Sequence, residues 1–297
     1  MSQPPSPPHS PPRSSRFQVA TYILCVFLFS SLFYFLILRG HKLGAAGGMY
    51  VVGIMWCPAL SAFATLKLNG RPLSDLRWKW PAKKYALLGW FIPLLYSTIA
   101  YLIIWICGFG AFPNRDTMNH LVTRMNLGAS PVVSTIVYVL LIGTFGMVEG
   151  MATGLGEEIG WRGFLVPELF KTTSYTTTAF ISGLVWACWH YPILIWGDYN
   201  SGTPARYGLS CFTVMVVSIA FIFAWLRLKS GSLWTAALLH ASHNLYVQDI
   251  FTPLTRNTGK TPWYIDEFGA VLPLVAAAFA IYFWRRRGEL SRTSATS

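Results

Sequence analysis

Charge is what this sequence has least of. Only 11% of its 297 residues are Asp, Glu, Lys or Arg, and just 11 are acidic, whereas 54% are hydrophobic. An ordinary soluble domain carries about 25% charged residues, so that class is excluded. Paired cysteines are also missing. The five present (Cys25, Cys57, Cys107, Cys188 and Cys211) stand singly with no CxxC, which excludes a disulfide framework and a cysteine-built zinc site. No internal repeat is visible. The net charge of +12 is not gathered into a basic stripe with a nucleic-acid motif, so no nucleic-acid partner is expected. Anionic lipid headgroups account for it.

What remains is apolar sequence in long runs. Several approach the ~20 residues that a helix needs to cross about 30 Å of hydrocarbon. Eight are expected, at 17–38, 46–66, 85–107, 132–153, 176–196, 208–228, 232–248 and 267–284. The fold class is therefore all-α: a polytopic integral membrane protein with about eight transmembrane helices enclosing a polar intramembrane cavity. Residues 1–16 are Pro/Ser-rich and read as a disordered tail, residues 17–287 as one membrane domain, and residues 288–297 as a second short tail. The first run has no A-x-A-like cleavage site and reads as a retained helix. The fourth run is expected to continue, bent, to about Phe170, and the polar stretch from Ala111 to Pro131 to carry a short interfacial helix. Basic residues concentrate on one side, in the Asn69–Lys84 loop and at Arg285, Arg286 and Arg287. The positive-inside rule then places both termini in the cytoplasm, and a bacterial plasma membrane is the expected location.

Against this apolar background three polar clusters stand out. The first is GLGEEIGWRGF, residues 154–164. Successive helical residues are ~100° apart, so Glu157 and Glu158 point in different directions. Glu158 and Arg162 are spaced i,i+4 with the acid first, the favourable order for an ion pair. Glu157 has no local cation and is the free carboxylate, suited by burial to act as a general base. Gly150/Gly154 and Gly156/Gly160 both read as GxxxG, a surface for close helix approach. Glu149 either faces the same cavity or sits near the end of a span.

The second cluster is WACWHYPI, where Trp186 and His190 share a helix face and Pro192 loosens the backbone beyond them. A lone intramembrane His is more often a hydrogen-bonded core residue than a catalyst, and Cys188 lies on nearly the opposite face. The third is HASHN, where His240 and Asn244 share a face and can both donate hydrogen bonds. His243 is turned away from Asn244 and is expected to meet a partner on a neighbouring helix. Polar glue between helices explains any one cluster well and three together less well.

In this order and spacing, EEIGWR fits an EExxxR motif, His190 the His of FxxxH, and His240 with Asn244 an HxxxN motif. From about Val132 to Val247 the chain resembles the CPBP group of intramembrane proteases, the CAAX prenyl protease/Abi family. Trp186 stands where the pattern has Phe, a departure that bears on pocket shape. The resemblance implies an endopeptidase acting on peptide or membrane-protein substrates at the bilayer, lipidated CAAX chains among them. Glu157 and His190 would activate water, His240 and Asn244 would stabilise the oxyanion, and Glu158 with Arg162 would hold the site together.

The family is often described as metalloprotease, and Glu157, His190 and His240 would be the set if zinc is used. HExxH is absent, so a conventional zincin is excluded, and the reading favours no held metal. GxSxG and GxGD are absent too. Two rival classes are an ion- or proton-coupled transporter, with Glu149, Glu157 and the histidines as a relay, and a catalytically silent scaffold. The first lacks paired inverted halves, and the second would be expected to have lost a motif residue.

Overall fold

Helices start and stop where local chemistry requires it. The computed structural model describes residues 14–39, 45–197 and 202–290. In chain order the helices are α1 (Ser15–Arg39), α2 (Ala45–Leu68), α3 (Lys83–Ile106), α4 (Arg115–Met125), α5 (Pro131–Thr172), α6 (Tyr175–Trp196), α7 (Ala205–Ser230), α8 (Trp234–Asn244) and α9 (Val271–Arg285). Ser130 caps α5 by accepting the Val133 N–H, with Pro131 in the first turn, and Ser174 caps α6 by accepting from Thr177. Each cap satisfies a donor that would otherwise be orphaned. Gly231 ends α7 at a φ of 66°, a left-handed conformation that costs glycine little.

Among the described residues no strand occurs, and the only β pairing is an isolated bridge between Ala111 and Arg256. Six helices are long and apolar enough to cross a membrane: α1, α2 from Gly48, α3, α5, α6 and α7. The expected seventh and eighth runs are present as α8, which continues into a π segment (Leu245–Phe251), and as α9 of 15 residues. The short helix expected between Ala111 and Pro131 is present as α4. The Pro/Ser-rich opening lies outside the described residues up to residue 13, and Ser15 and Arg16 already belong to α1.

The packing is inside-out relative to a water-soluble bundle. On α1 the buried stripe includes Gln18, Tyr22, Ser30 and Tyr34, while Leu24, Leu28, Leu32 and Phe35 are exposed. On the first half of α5, Ser134 is buried and Val132, Val133, Ile136 and Leu140 are exposed. Lipid tails are as apolar as leucine, so the aliphatic faces turn outward and polar groups find partners between helices. Tyr34 donates to the Trp189 carbonyl, and Trp189 Nε1 donates to Ser30 Oγ at 2.8 Å. These two bonds tie α1 to α6. The chain is an all-helical integral membrane protein.

α5 runs through the bundle as one 42-residue helix. It is interrupted by π segments at Ile142–Gly146 and Ile159–Leu165, the second opening directly after Glu158. Its glycines let neighbours close in. Gly150 lies against Ala241 and Gly154 against the His240 ring, so one glycine face receives α8. Gly156 lies against the α2 backbone: a Cβ there would sit 2.7 Å from the Met55 oxygen and 2.9 Å from Trp56 Cα. Gly156→Ala should therefore destabilise the protein by about 1–3 kcal/mol, the usual cost of overpacking. Gly143→Ala, where the methyl meets open space, should stay within about 0.5 kcal/mol. Thermal unfolding in detergent measures both.

Candidate active site

The three polar clusters converge. Glu157 on α5, His190 on α6 and His240 with Asn244 on α8 line one cavity of about 310 Å³. The rest of the wall is mainly apolar and comes from α2, α6 and α7, including Ile54, Trp189, Met215 and Phe223. Such a wall with a few converging polar groups is the usual make-up of a ligand site.

Glu158 and Arg162 form the expected i,i+4 pair: Nη1 donates to Oε1 at 2.9 Å, and both side chains are fully buried. Glu158 Oε1 has a second partner, His240 Nδ1, also at 2.9 Å. This carboxylate therefore links α5 to α8 and sets the orientation of the His240 ring. Arg162 has a further support that the sequence did not reveal. Its guanidinium carbon lies 4.1 Å from the ring centroids of both Trp186 and Phe223, a stacked arrangement that favours a desolvated cation.

Glu157 faces another way. Its Oε2 accepts from Trp186 Nε1 at 2.7 Å and from Trp161 Nε1 at 3.4 Å, and no basic residue pairs with it. Trp186 is thus more than a wall residue. Besides donating to Glu157, its carbonyl is 3.0 Å from His190 Nδ1, and its ring centroid lies 6.1 Å from that of His190 and 5.7 Å from that of His240. A phenylalanine could supply the ring but not the N–H donor.

Two residues flagged in the sequence lie elsewhere. Glu149 is exposed and does not line the cavity: it precedes Glu157 by eight residues, and the helix there faces outward. Cys188 is likewise absent from the wall. His243 does line the cavity, and it also meets partners on other elements as expected. Tyr96 Oη is 2.6 Å from its Nδ1, and its Nε2 is 2.9 Å from Glu267 Oε1.

Glu267 is the ionisable cavity residue that sequence reasoning missed, and Gln248 and Thr153 are uncharged polar ones. Glu267 is buried, lines the same cavity and accepts from Gln248 at 3.0 Å. The available signal was an acid at the mouth of an apolar run, in YIDEFGAVLP, in a chain where acids are scarce. Its neighbour Asp266 has its carboxyl pushed up to about 7, first by burial and then by the charge of Glu267, against the Phe268 N–H that it accepts.

Zinc does not fit the residues as placed. Among the described residues no three His, Cys, Asp or Glu side chains gather closely enough to hold a metal ion. Arg162→Ala should act on stability, leaving the buried Glu158 carboxylate without its arginine partner. The expected loss is about 3–5 kcal/mol, read as a lowered unfolding temperature or a loss of folded yield.

Residues 133–246 match the family model described as type II CAAX prenyl endopeptidase Rce1-like, and that stretch contains all six motif residues. The chain is 31% identical over 131 residues to CAAX prenyl protease 2 of Methanococcus maripaludis. The aligned part covers 42% of this chain and 45% of that relative, so the chain spans just under half the length of the curated relative it matches. The matched segment of this chain is thus similar to CAAX-type proteases, and it carries a glutamate pair, an arginine, two histidines and an asparagine that line or brace one cavity.

Proposed function

We propose that this protein is an intramembrane endopeptidase that hydrolyses peptide bonds of membrane-associated, CAAX-type substrates with water activated by Glu157 and His190. The observation that carries the reading is the convergence of Glu157, His190, His240 and Asn244, from three helices, on one cavity of about 310 Å³. On the same reading α8 with its π continuation and α9 complete eight crossings around this polar cavity. Both termini then lie on the cytoplasmic side of a bacterial plasma membrane. Lipidated chains suit a cavity whose wall is mainly apolar.

Glu157 accepts a proton from water, and the resulting hydroxide adds to the scissile carbonyl carbon while His190 orients it. Negative charge then develops on the carbonyl oxygen, and the Asn244 amide and His240 stabilise it. His240 Nδ1 is engaged with Glu158, so an N–H at its other nitrogen requires the imidazolium form. The proton held by Glu157 passes to the leaving nitrogen as the C–N bond breaks, giving a carboxylic acid and an amine, between which the acid proton then transfers to leave carboxylate and ammonium. Donors fixed in a site with few waters act more strongly than the same groups in bulk water.

The test is cleavage of a prenylated CAAX peptide by purified protein and its variants, with folding checked in detergent. Glu157→Ala and His190→Ala should each lower kcat by about 10²–10⁴ as expected for a lost proton-transfer group. His240→Ala should lower it by about 10²–10³ as for a lost oxyanion donor. Full cleavage by folded Glu157→Ala would end the glutamate-base reading. Trp186→Phe keeps the ring over Arg162 and removes only the donor to Glu157. It should lower kcat by about tenfold with KM unchanged, the signature of an interaction that matters in the transition state. An unchanged kcat would show that the indole bond is dispensable.

A further inference from the structure

Basic residues crowd the end of the bundle where α2, α5 and α7 finish, and they fall into two kinds. Most are matched. Arg71 donates to Asp75 at 2.8 Å and to Glu168 at 2.6 Å, Lys171 shares Glu168 at 2.6 Å, and Arg286 pairs with Glu289. Arg77 and Arg227 are among those with no acidic partner in the described residues, and they are the ones of that kind that line the cleft at this end. Arg227 is only 4% exposed. Its Nε donates to the Arg162 carbonyl at 2.8 Å, and its remaining N–H groups have no protein partner.

No Arg227 nitrogen is both buried and unpartnered, so its unpaired donors open onto the cleft that it lines, where an anion can meet them. Arg77 adds a second cation whose charge opposes that of Arg227. Both line a cleft of about 390 Å³, where Asp75 and Glu168 are already committed to Arg71 and Lys171. Two guanidiniums lining one open space, neither paired with an acid, suit the fork geometry that binds phosphate oxygens.

The surroundings indicate depth. Trp78, Trp80 and Trp234 cluster beside the cleft, with ring centroids 6.4 and 5.6 Å from Trp234, and Trp80 is 55% exposed. Lys79, Lys83 and Lys84 are exposed nearby. Indole rings and exposed lysines at a helix start are marks of the headgroup level of a bilayer.

We propose that Arg77 and Arg227 form a binding site for a phosphate group, as carried by the headgroup of an anionic phospholipid or by free phosphate. The site is separate from the cavity of the endopeptidase reading and does not depend on it. It is nonetheless joined to that cavity through the bond from Arg227 to the backbone of Arg162.

The full chain is reconstituted in vesicles of phosphatidylcholine alone or with a minority of phosphatidylglycerol, and its unfolding temperature and retained lipid are measured. Inorganic phosphate is titrated in the phosphatidylcholine arm. The wild-type protein and Arg124→Gln, an exposed arginine on α4, should unfold at higher temperature with phosphatidylglycerol. Arg77→Gln should lose that gain and retain the lipid roughly fivefold less well, the equivalent of about 1 kcal/mol per basic group at an anionic surface. Arg227→Gln should do the same if it folds, and Arg77→Gln decides the matter if it does not. A phosphate-dependent gain that Arg77→Gln loses supports the same site with soluble phosphate as its ligand. The proposal is overturned if neither probe stabilises the wild-type protein, or if Arg77→Gln keeps the wild-type gain.

Discussion

An acid withdrawn from water into an apolar bundle has to be met on the spot by cations or donors, because an orphaned buried charge costs several kcal/mol. Glu158 is met twice through one oxygen, by Arg162 one turn along the same helix and by His240 across the interface with α8. The rest of the cavity follows from that pair of bonds. They fix α5 against α8, set the His240 ring and leave Glu157, one residue earlier, turned toward the open space. Gly154 makes the approach possible, since its bare α-carbon lies against the His240 ring.

Arg162 extends the same logic to the next layer. Its guanidinium is held by the faces of Trp186 from α6 and Phe223 from α7, so one cation brings three helices into contact. Trp186 then connects the two glutamates: its ring lies against the Arg162 cation that pairs with Glu158, and its N–H donates to Glu157. A Trp where the family pattern has Phe is therefore a chemical change as well as a change of shape.

A second buried acid follows the same rule on another wall. Glu267 is satisfied by His243 and Gln248, and His243 in turn by Tyr96. The contrast is Arg227, equally buried but answered by a single backbone carbonyl. Its other donors open onto a cleft instead of a protein partner, which is the feature that points outward to a ligand.

Much of this was legible in the sequence because helical periodicity is local. Run length determined the all-helical class, and i,i+4 spacing determined the Glu158–Arg162 pair, the separation of Glu157 from Glu158, and the faces shared by Trp186 with His190 and His240 with Asn244. The two GxxxG strings likewise marked where α8 and α2 would approach. Tertiary structure alone decided what lies across each interface. The Tyr96–His243 contact joins residues 147 apart, the His240–Glu158 bond residues 82 apart, and the Trp186–Glu157 bond residues 29 apart. No local pattern encodes such partners, because they depend on how whole helices rotate and dock. That is also why Glu149, with the same composition cues as Glu157, turned out to be exposed, and why Glu267 in a connecting stretch became part of the cavity.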